Sequence, residues 1–135
     1  MIPKVIINAD GGSRGNPGPA AIGILIRDTN RTIAKFSQII GMATNNVAEY
    51  KALVKALELA SKFTKEEVYI FMDSELVVRQ LSGDYRVKAN NLKPIFERVR
   101  KLESMFRKVT YRNVTRDDKF QAQADFLVNQ ALDRK

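Results

Sequence analysis

VIINADGGSRGNPGPAAIGILI, Val5 to Ile26, is the stretch on which the fold turns. An apolar run closes on one carboxylate, Asp10, glycines follow at once, and a second apolar run starts at Ala21. Near-continuous apolar runs of strand length belong to sheets covered by helices on both faces. The carboxyl ends of parallel strands are also where such sheets build their sites. An acid in that position cannot easily be left unpaired, because burying a lone charge is costly.

Outward from this stretch, Lys4 to Asp10, Ala21 to Arg27 and Thr32 to Ile40 read as three strands, the last two joined by the turn Asp28-Thr29-Asn30-Arg31. Their short connections predict antiparallel pairing. Thr44-Asn45-Asn46 opens a helix over Val47 to Lys62, with Leu53, Leu57 and Ala60 on one stripe and Glu49 one turn before Leu53. Glu67 to Asp73 is again an apolar run closed by Asp and Ser. Helices are expected over Ser74 to Leu81, stopped by Gly83, and from Asn90 or Asn91 onward, with Pro94 in the first turn and Ile95, Val99, Leu102 and Phe106 buried. Lys108 to Val114 reads as the last strand. Gln121 to Leu132 reads as the last helix, with Ala124, Leu127, Val128 and Ala131 inward and Asp125 beside them. The order βββαβααβα predicts an α/β domain with a five-stranded mixed sheet, helices on both faces and a right-handed crossover. The 135 residues, 44% of them hydrophobic, suit a single domain over 1–135.

Composition narrows the chemistry. The chain has no Cys and no His, which excludes disulfides, thiolate and imidazole metal ligands, and histidine acid/base catalysis. No apolar stretch approaches the roughly 18 residues of a membrane span, and no signal-type leader is seen, so no membrane partner and a cytoplasmic location are expected. The start at Met1 and a helix running out at Asp133-Arg134-Lys135 suggest a free-standing enzyme. Of the net charge of +8, the segment Arg79 to Lys119 holds +7, with 12 basic and 5 acidic residues. Positive charge can simply aid solubility, but concentrated in one segment it points to a polyanionic partner.

Four acids are placed unlike the others. Asp10 and Asp73 end apolar strands, and Glu49 and Asp125 lie on or beside buried helix faces, whereas Glu66, Glu67, Asp117 and Asp118 lie in solvated runs. If the four converge, they repel one another and their pKa values rise unless cations intervene. Mg²⁺ or Mn²⁺ suits an oxygen-only ligand set, and two ions about 3.5 to 4 Å apart could activate a water and stabilise a leaving oxygen at a phosphodiester. The alternative is that each acid pairs separately with Lys or Arg or, like Glu49, favours a helix N-terminus.

Four pieces of the chain, DGGSRGNPGPAAIG from Asp10, TNNVAEYKAL from Thr44, MDSELVVRQLSG from Met72 and QAQADFLVNQAL from Gln121, together resemble the type 1 ribonuclease H family, in order and over nearly the whole sequence. The resemblance implies a ribonuclease H-like fold and an endoribonuclease that hydrolyses the RNA strand of RNA/DNA hybrids, leaving 5′-phosphate and 3′-hydroxyl ends. It makes Asp10, Glu49, Asp73 and Asp125 the catalytic set for two Mg²⁺ or Mn²⁺ ions, with Asp10 best placed to bridge them. It also implies substrate contacts. Gly11, Gly12, Ser13, Arg14, Gly15 and Asn16 form a loop that would lie, with Glu49 and Ser74, near ribose hydroxyls. Asn16 and Thr44 match a DNA phosphate pocket, Asn45 and Asn46 match minor-groove residues, and Arg79, Arg86, Lys88 and Lys93 would follow the DNA backbone. Double-stranded RNA is a second candidate substrate, and a monomer is expected. Two alternatives are a non-catalytic hybrid-binding module and a DNA-directed nuclease of junction resolvase type.

The sequence departs from the family pattern in places. The loop VTRDDKFQAQAD, Val114 to Asp125, lacks the histidine many members carry. Gln121 stands where asparagine is common, Glu75 where a neutral residue often occurs, and Met42 where some relatives are basic. The basic handle of some bacterial members is absent, since Leu81 runs through SGDYRVKANN directly into the next helix.

Overall fold

The computed structural model describes residues 2–134. β1 (Lys4–Ser13), β2 (Gly18–Arg27) and β3 (Thr32–Ala43) are followed by α1 (Asn45–Ala60), β4 (Glu67–Met72), α2 (Glu75–Leu81), α3 (Lys93–Glu103), β5 (Lys108–Asn113) and α4 (Lys119–Asp133). The five strands form one mixed sheet in the order β3-β2-β1-β4-β5. β1 pairs antiparallel with β2 and β2 with β3, while β1 with β4 and β4 with β5 are parallel. The expected element order, mixed sheet and two-sided helical cover are all present.

β1 is longer than its sequence suggests. It continues through Gly11, Gly12 and Ser13, paired with Ile22, Ala21 and Ala20, so only Arg14 to Pro17 remain as the connection to β2. Glycine is a poor strand former, and here the ladder bonds from β2 override that weak preference. The pairing with β4 stops earlier, at Asn8 opposite Phe71. Beyond Asn8, β1 is paired on one side only, and a fork opens between the carboxyl ends of β1 and β4.

Alternation along β1 sends successive side chains to opposite faces. Val5, Ile7 and Ala9 enter the main core with Ile22, Ile24, Ile26, Leu53 and Leu57 under α1. Asn8 and Asp10 face α4, whose Val128, Ala131 and Leu132 pack on Ala21 in a smaller cluster. Two glycines let the helices come this close. A Cβ on Gly11 would lie 2.2 Å from the carbonyl oxygen of Ala48 in α1, and one on Gly23, opposite Asp10, would lie 2.3 Å from that of Ala124 in α4.

Side-chain caps begin three of the helices. Thr44 Oγ1 accepts from the Val47 amide at 3.2 Å, Ser74 Oγ from Val77 at 3.3 Å, and Asp118 Oδ2 from Phe120 and Gln121 at 3.1 Å. α3 starts at Lys93, later than expected, with Pro94 in its first turn. Among the described residues, no helix is long and apolar enough to cross a membrane.

Candidate active site

The fork between β1 and β4 opens into a cleft of about 280 Å³. Asp10, Glu49, Asp73 and Asp125 all line it, from β1, α1, the residue after β4, and α4. Residues far apart in the chain therefore bring their acids to the wall of one cleft, while Asp73 also has a basic neighbour in Arg116. Asp10 is 8% exposed. Its pKa is pushed from the ordinary 3.8 up to about 8, first by burial and then by the charges of Asp73, Asp125 and Glu49, with Asp125 close enough to share a hydrogen bond. Glu49 is pushed up to about 7, again chiefly by burial; a hydrogen bond with Ser74 opposes the rise and the charge of Asp73 adds to it.

These residues suit a hard divalent cation. All the donors are carboxylate oxygens, Glu49 Oε2 is buried without a hydrogen-bond partner among the described residues, and the pKa values of Asp10 and Glu49 are raised chiefly by burial, with the charges of neighbouring acids adding to it. Among the described residues, no three of the acids stand close enough together to hold one ion by themselves. An open set of this kind matches Mg²⁺, which keeps several waters and takes ligands from phosphate oxygens.

The sequence-derived contacts divide into two groups. Gly11, Gly12, Ser13, Arg14 and Asn45 line the cleft beside the acids. Ser13 donates its amide to Asn45 Oδ1 at 2.9 Å, and the Asn45 amide donates to Asn16 Oδ1 at 3.0 Å, so the β1–β2 turn is tied to the start of α1. Gly15, Asn16, Thr44, Asn46, Ser74, Arg79, Arg86 and Lys88 are not part of the cleft wall. Thr44 and Ser74 cap α1 and α2. Arg79 bonds Glu75 at 3.2 Å, reaches Asp84 at 4.0 Å and lies over the Tyr85 ring at 5.5 Å. Arg86 and Lys88 are exposed in the connection between α2 and α3. Glu75, whose charge had no evident use in the sequence, is the partner of Arg79.

Two side chains that sequence reasoning did not assign, Arg116 and Asn129, also line the cleft, and a third, Asp133, anchors Arg14 from outside it. Arg116 brings its Nε to 3.8 Å from Asp73 Oδ2 and lines the wall. Asn129 donates to the carbonyl and carboxylate oxygens of Asp125 at 3.1 and 3.4 Å, and it accepts from Arg14 at 3.3 Å. Arg14 in turn pairs with Asp133 at 2.6 Å, so this expected substrate contact is tied back to α4. The helical spacing of Asp125, Asn129 and Asp133 was the available signal for the last two. Nothing local marked Arg116.

A family model described as "Reverse transcriptase-like" matches residues 8–131. The bifunctional protein Rv2228c of Mycobacterium tuberculosis is 45% identical over 132 residues, which is 96% of this chain but 36% of that protein. The chain thus spans about a third of the length of this curated relative. The crystal structure of RNase H1 from Halobacterium salinarum superposes with a TM-score of 0.92 at 38% identity, covering 98% of this chain and 99% of that one. LC11-RNase H1, solved in complex with an RNA/DNA hybrid, gives 0.88 at 43% identity, over 96% and 97%. Matches that run almost end to end, onto proteins of one kind and with the sheet order intact, leave a single assignment: the chain belongs to the type 1 ribonuclease H family.

Proposed function

We propose that this chain is a ribonuclease H domain that hydrolyses the RNA strand of RNA/DNA hybrids with two bound Mg²⁺ or Mn²⁺ ions, leaving 5′-phosphate and 3′-hydroxyl ends. The observation that carries the reading is Asp10, buried in β1 two residues beyond its last pairing with β4 and facing Glu49, Asp73 and Asp125 across one cleft. The hybrid held by LC11-RNase H1 supports the choice of substrate.

Asp10, Glu49, Asp73 and Asp125 are the residues that would hold the ions. Two ions, when bound, would supply an activated water and a stabilised leaving oxygen for in-line displacement at phosphorus. The protein contributes position. Asp10 sits among the other three acids and is the natural shared ligand. Asn129 holds Asp125. Arg116, at the rim, partly neutralises Asp73 before substrate arrives. The backbone of Gly11 and Gly12 offers a wall without side chains, against which the wide, shallow minor groove and its ribose hydroxyls can lie. Exposed Arg86 and Lys88 supply charge to the DNA backbone in place of the missing handle.

Incubating an end-labelled hybrid with Mg²⁺ or Mn²⁺ tests this, beside duplex DNA, double-stranded RNA and a four-way junction. The expected result is cleavage of the hybrid's RNA strand by wild type and none by Asp10→Asn. Tight hybrid binding without turnover would replace the reading with a binding module, and preference for the junction would replace it with a resolvase.

A further inference from the structure

The shape of the cleft depends on how far α4 stands from β1, because Asp125 rides on one and Asp10 on the other. Where the two elements meet, the parallel ladder has just ended, since Asn8 is the last β1 residue paired to β4. Gln121 fills that place. It is fully buried, lies one helical turn before Asp125, and its amide nitrogen is fixed by the Asp118 cap. Its side-chain Nε2 donates to the carbonyl oxygen of Ala9 at 3.0 Å, and its Oε1 accepts from Asn8 Nδ2 at 3.0 Å. One side chain therefore grips the peptide directly before Asp10 and the side chain two residues before it. Asn8 Oδ1 is buried with no hydrogen-bond partner, so its bond to Gln121 is the polar contact that holds this amide.

We propose that Gln121 is a positioning residue for this site, a two-point clamp that sets the distance between Asp10 on β1 and Asp125 on α4. The inference rests on the reading of the four acids as a cation-holding set. An apolar side chain could fill the same volume, but apolar contact is non-directional and lets a helix slide, whereas two hydrogen bonds at 3.0 Å fix both distance and angle. Asparagine, one methylene shorter, would make the same two contacts only with α4 drawn closer to β1, so the residue here sets a spacing of its own.

The test separates clamping from core filling. The paired variant Asn8→Leu/Gln121→Leu removes both side-chain amides together and leaves the Ala9 carbonyl oxygen as the one group that loses its partner, so the stability loss is limited to that carbonyl. Its urea midpoint, its Mg²⁺ affinity by titration calorimetry, and its kcat and KM on labelled hybrid are compared with wild type and with Gln121→Asn. A clamp predicts that kcat falls by about 10- to 100-fold and the Mg²⁺ dissociation constant rises by about tenfold, with KM within about threefold and the protein still folded at the assay temperature, its urea midpoint lowered only by the unpaired Ala9 carbonyl. Should the paired variant not fold, Gln121→Asn carries the same expectation. A folded variant of either kind with wild-type kcat and Mg²⁺ affinity overturns the proposal. If wild type itself neither binds Mg²⁺ nor cleaves, the cation-holding reading falls first and the clamp falls with it.

Discussion

Replacing Gly11 by alanine adds one methyl group at the closest approach of strand and helix in the site. The new Cβ would sit 2.2 Å from the Ala48 oxygen, 2.3 Å from its carbonyl carbon and 2.6 Å from the Glu49 amide nitrogen. An ordinary contact begins at 3.4 Å, so α1 and β1 must separate by about 1.2 Å. The obstacle is backbone on both sides, and no side chain can rotate out of the way. Overpacking of this kind costs about 1 to 3 kcal/mol, and with no flexible atom to yield, the upper half of that range is expected. The separation also carries Glu49 away from Asp10, since the clash is with Glu49's own peptide. A displacement of about 1 Å in a catalytic constellation costs about 100-fold in rate. Gly11→Ala should therefore lose about 2 to 3 kcal/mol in urea melts and about 100-fold in hybrid cleavage under conditions where it remains folded. A variant within about 0.5 kcal/mol of wild type and within about threefold of its rate would refute the idea that this contact fixes the site.

Three further outcomes are expected. Asp10 titrates at about 8 in the fold against an ordinary 3.8, so the metal-free protein holds a proton that the unfolded chain has released, and its stability falls as pH climbs from about 4 to 8. The rise sets a ceiling of about 6 kcal/mol, and Asp10→Asn is expected to stabilise the protein at pH 8.5 in EDTA by less than that, the gain shrinking towards zero near pH 4. A gap independent of pH in urea melts would contradict this. Lys88→Ala should reduce the slope of log binding constant against log salt by about 1 without changing hybrid preference, read from fluorescence anisotropy across a salt series. Tyr111→Phe removes a hydroxyl that donates to Glu103 Oε2 at 2.6 Å, on the far side of the sheet from α4; it should cost about 1 to 2 kcal/mol and leave cleavage untouched, a control that separates stability from the site.

Much of this was legible in the chain because burial and charge conflict visibly there. Asp10 and Asp73 stand out since each closes an apolar run, and Glu49 and Asp125 since each lies on or beside a helical stripe of buried neighbours. The sheet order follows from three short-linked strands and a crossover. What escaped depended on partners distant in sequence. Gly11 to Ser13 lack strand preference, and only the pairing with Ile22, Ala21 and Ala20 makes them strand. β3 similarly runs past Ile40 to Ala43, across Gly41, because β2 continues beside it. Arg116 and Asp73 are 43 positions apart, Arg14 and Asp133 far more, and no local pattern joins either pair. Gln121 looked like a mere replacement for asparagine until the strand it grips was in view.

The division of the acids along the chain also matters during synthesis. Asp10, Glu49 and Asp73 come from the first part of the domain, while Asp125 arrives with α4, the last helix described. A nascent chain still short of that helix has the sheet and three acids but neither the wall that closes the cleft nor the fourth acid. The four-acid cleft is therefore complete only once α4 has docked against β1 and β2, and the sheet alone presents an open, three-acid version of it.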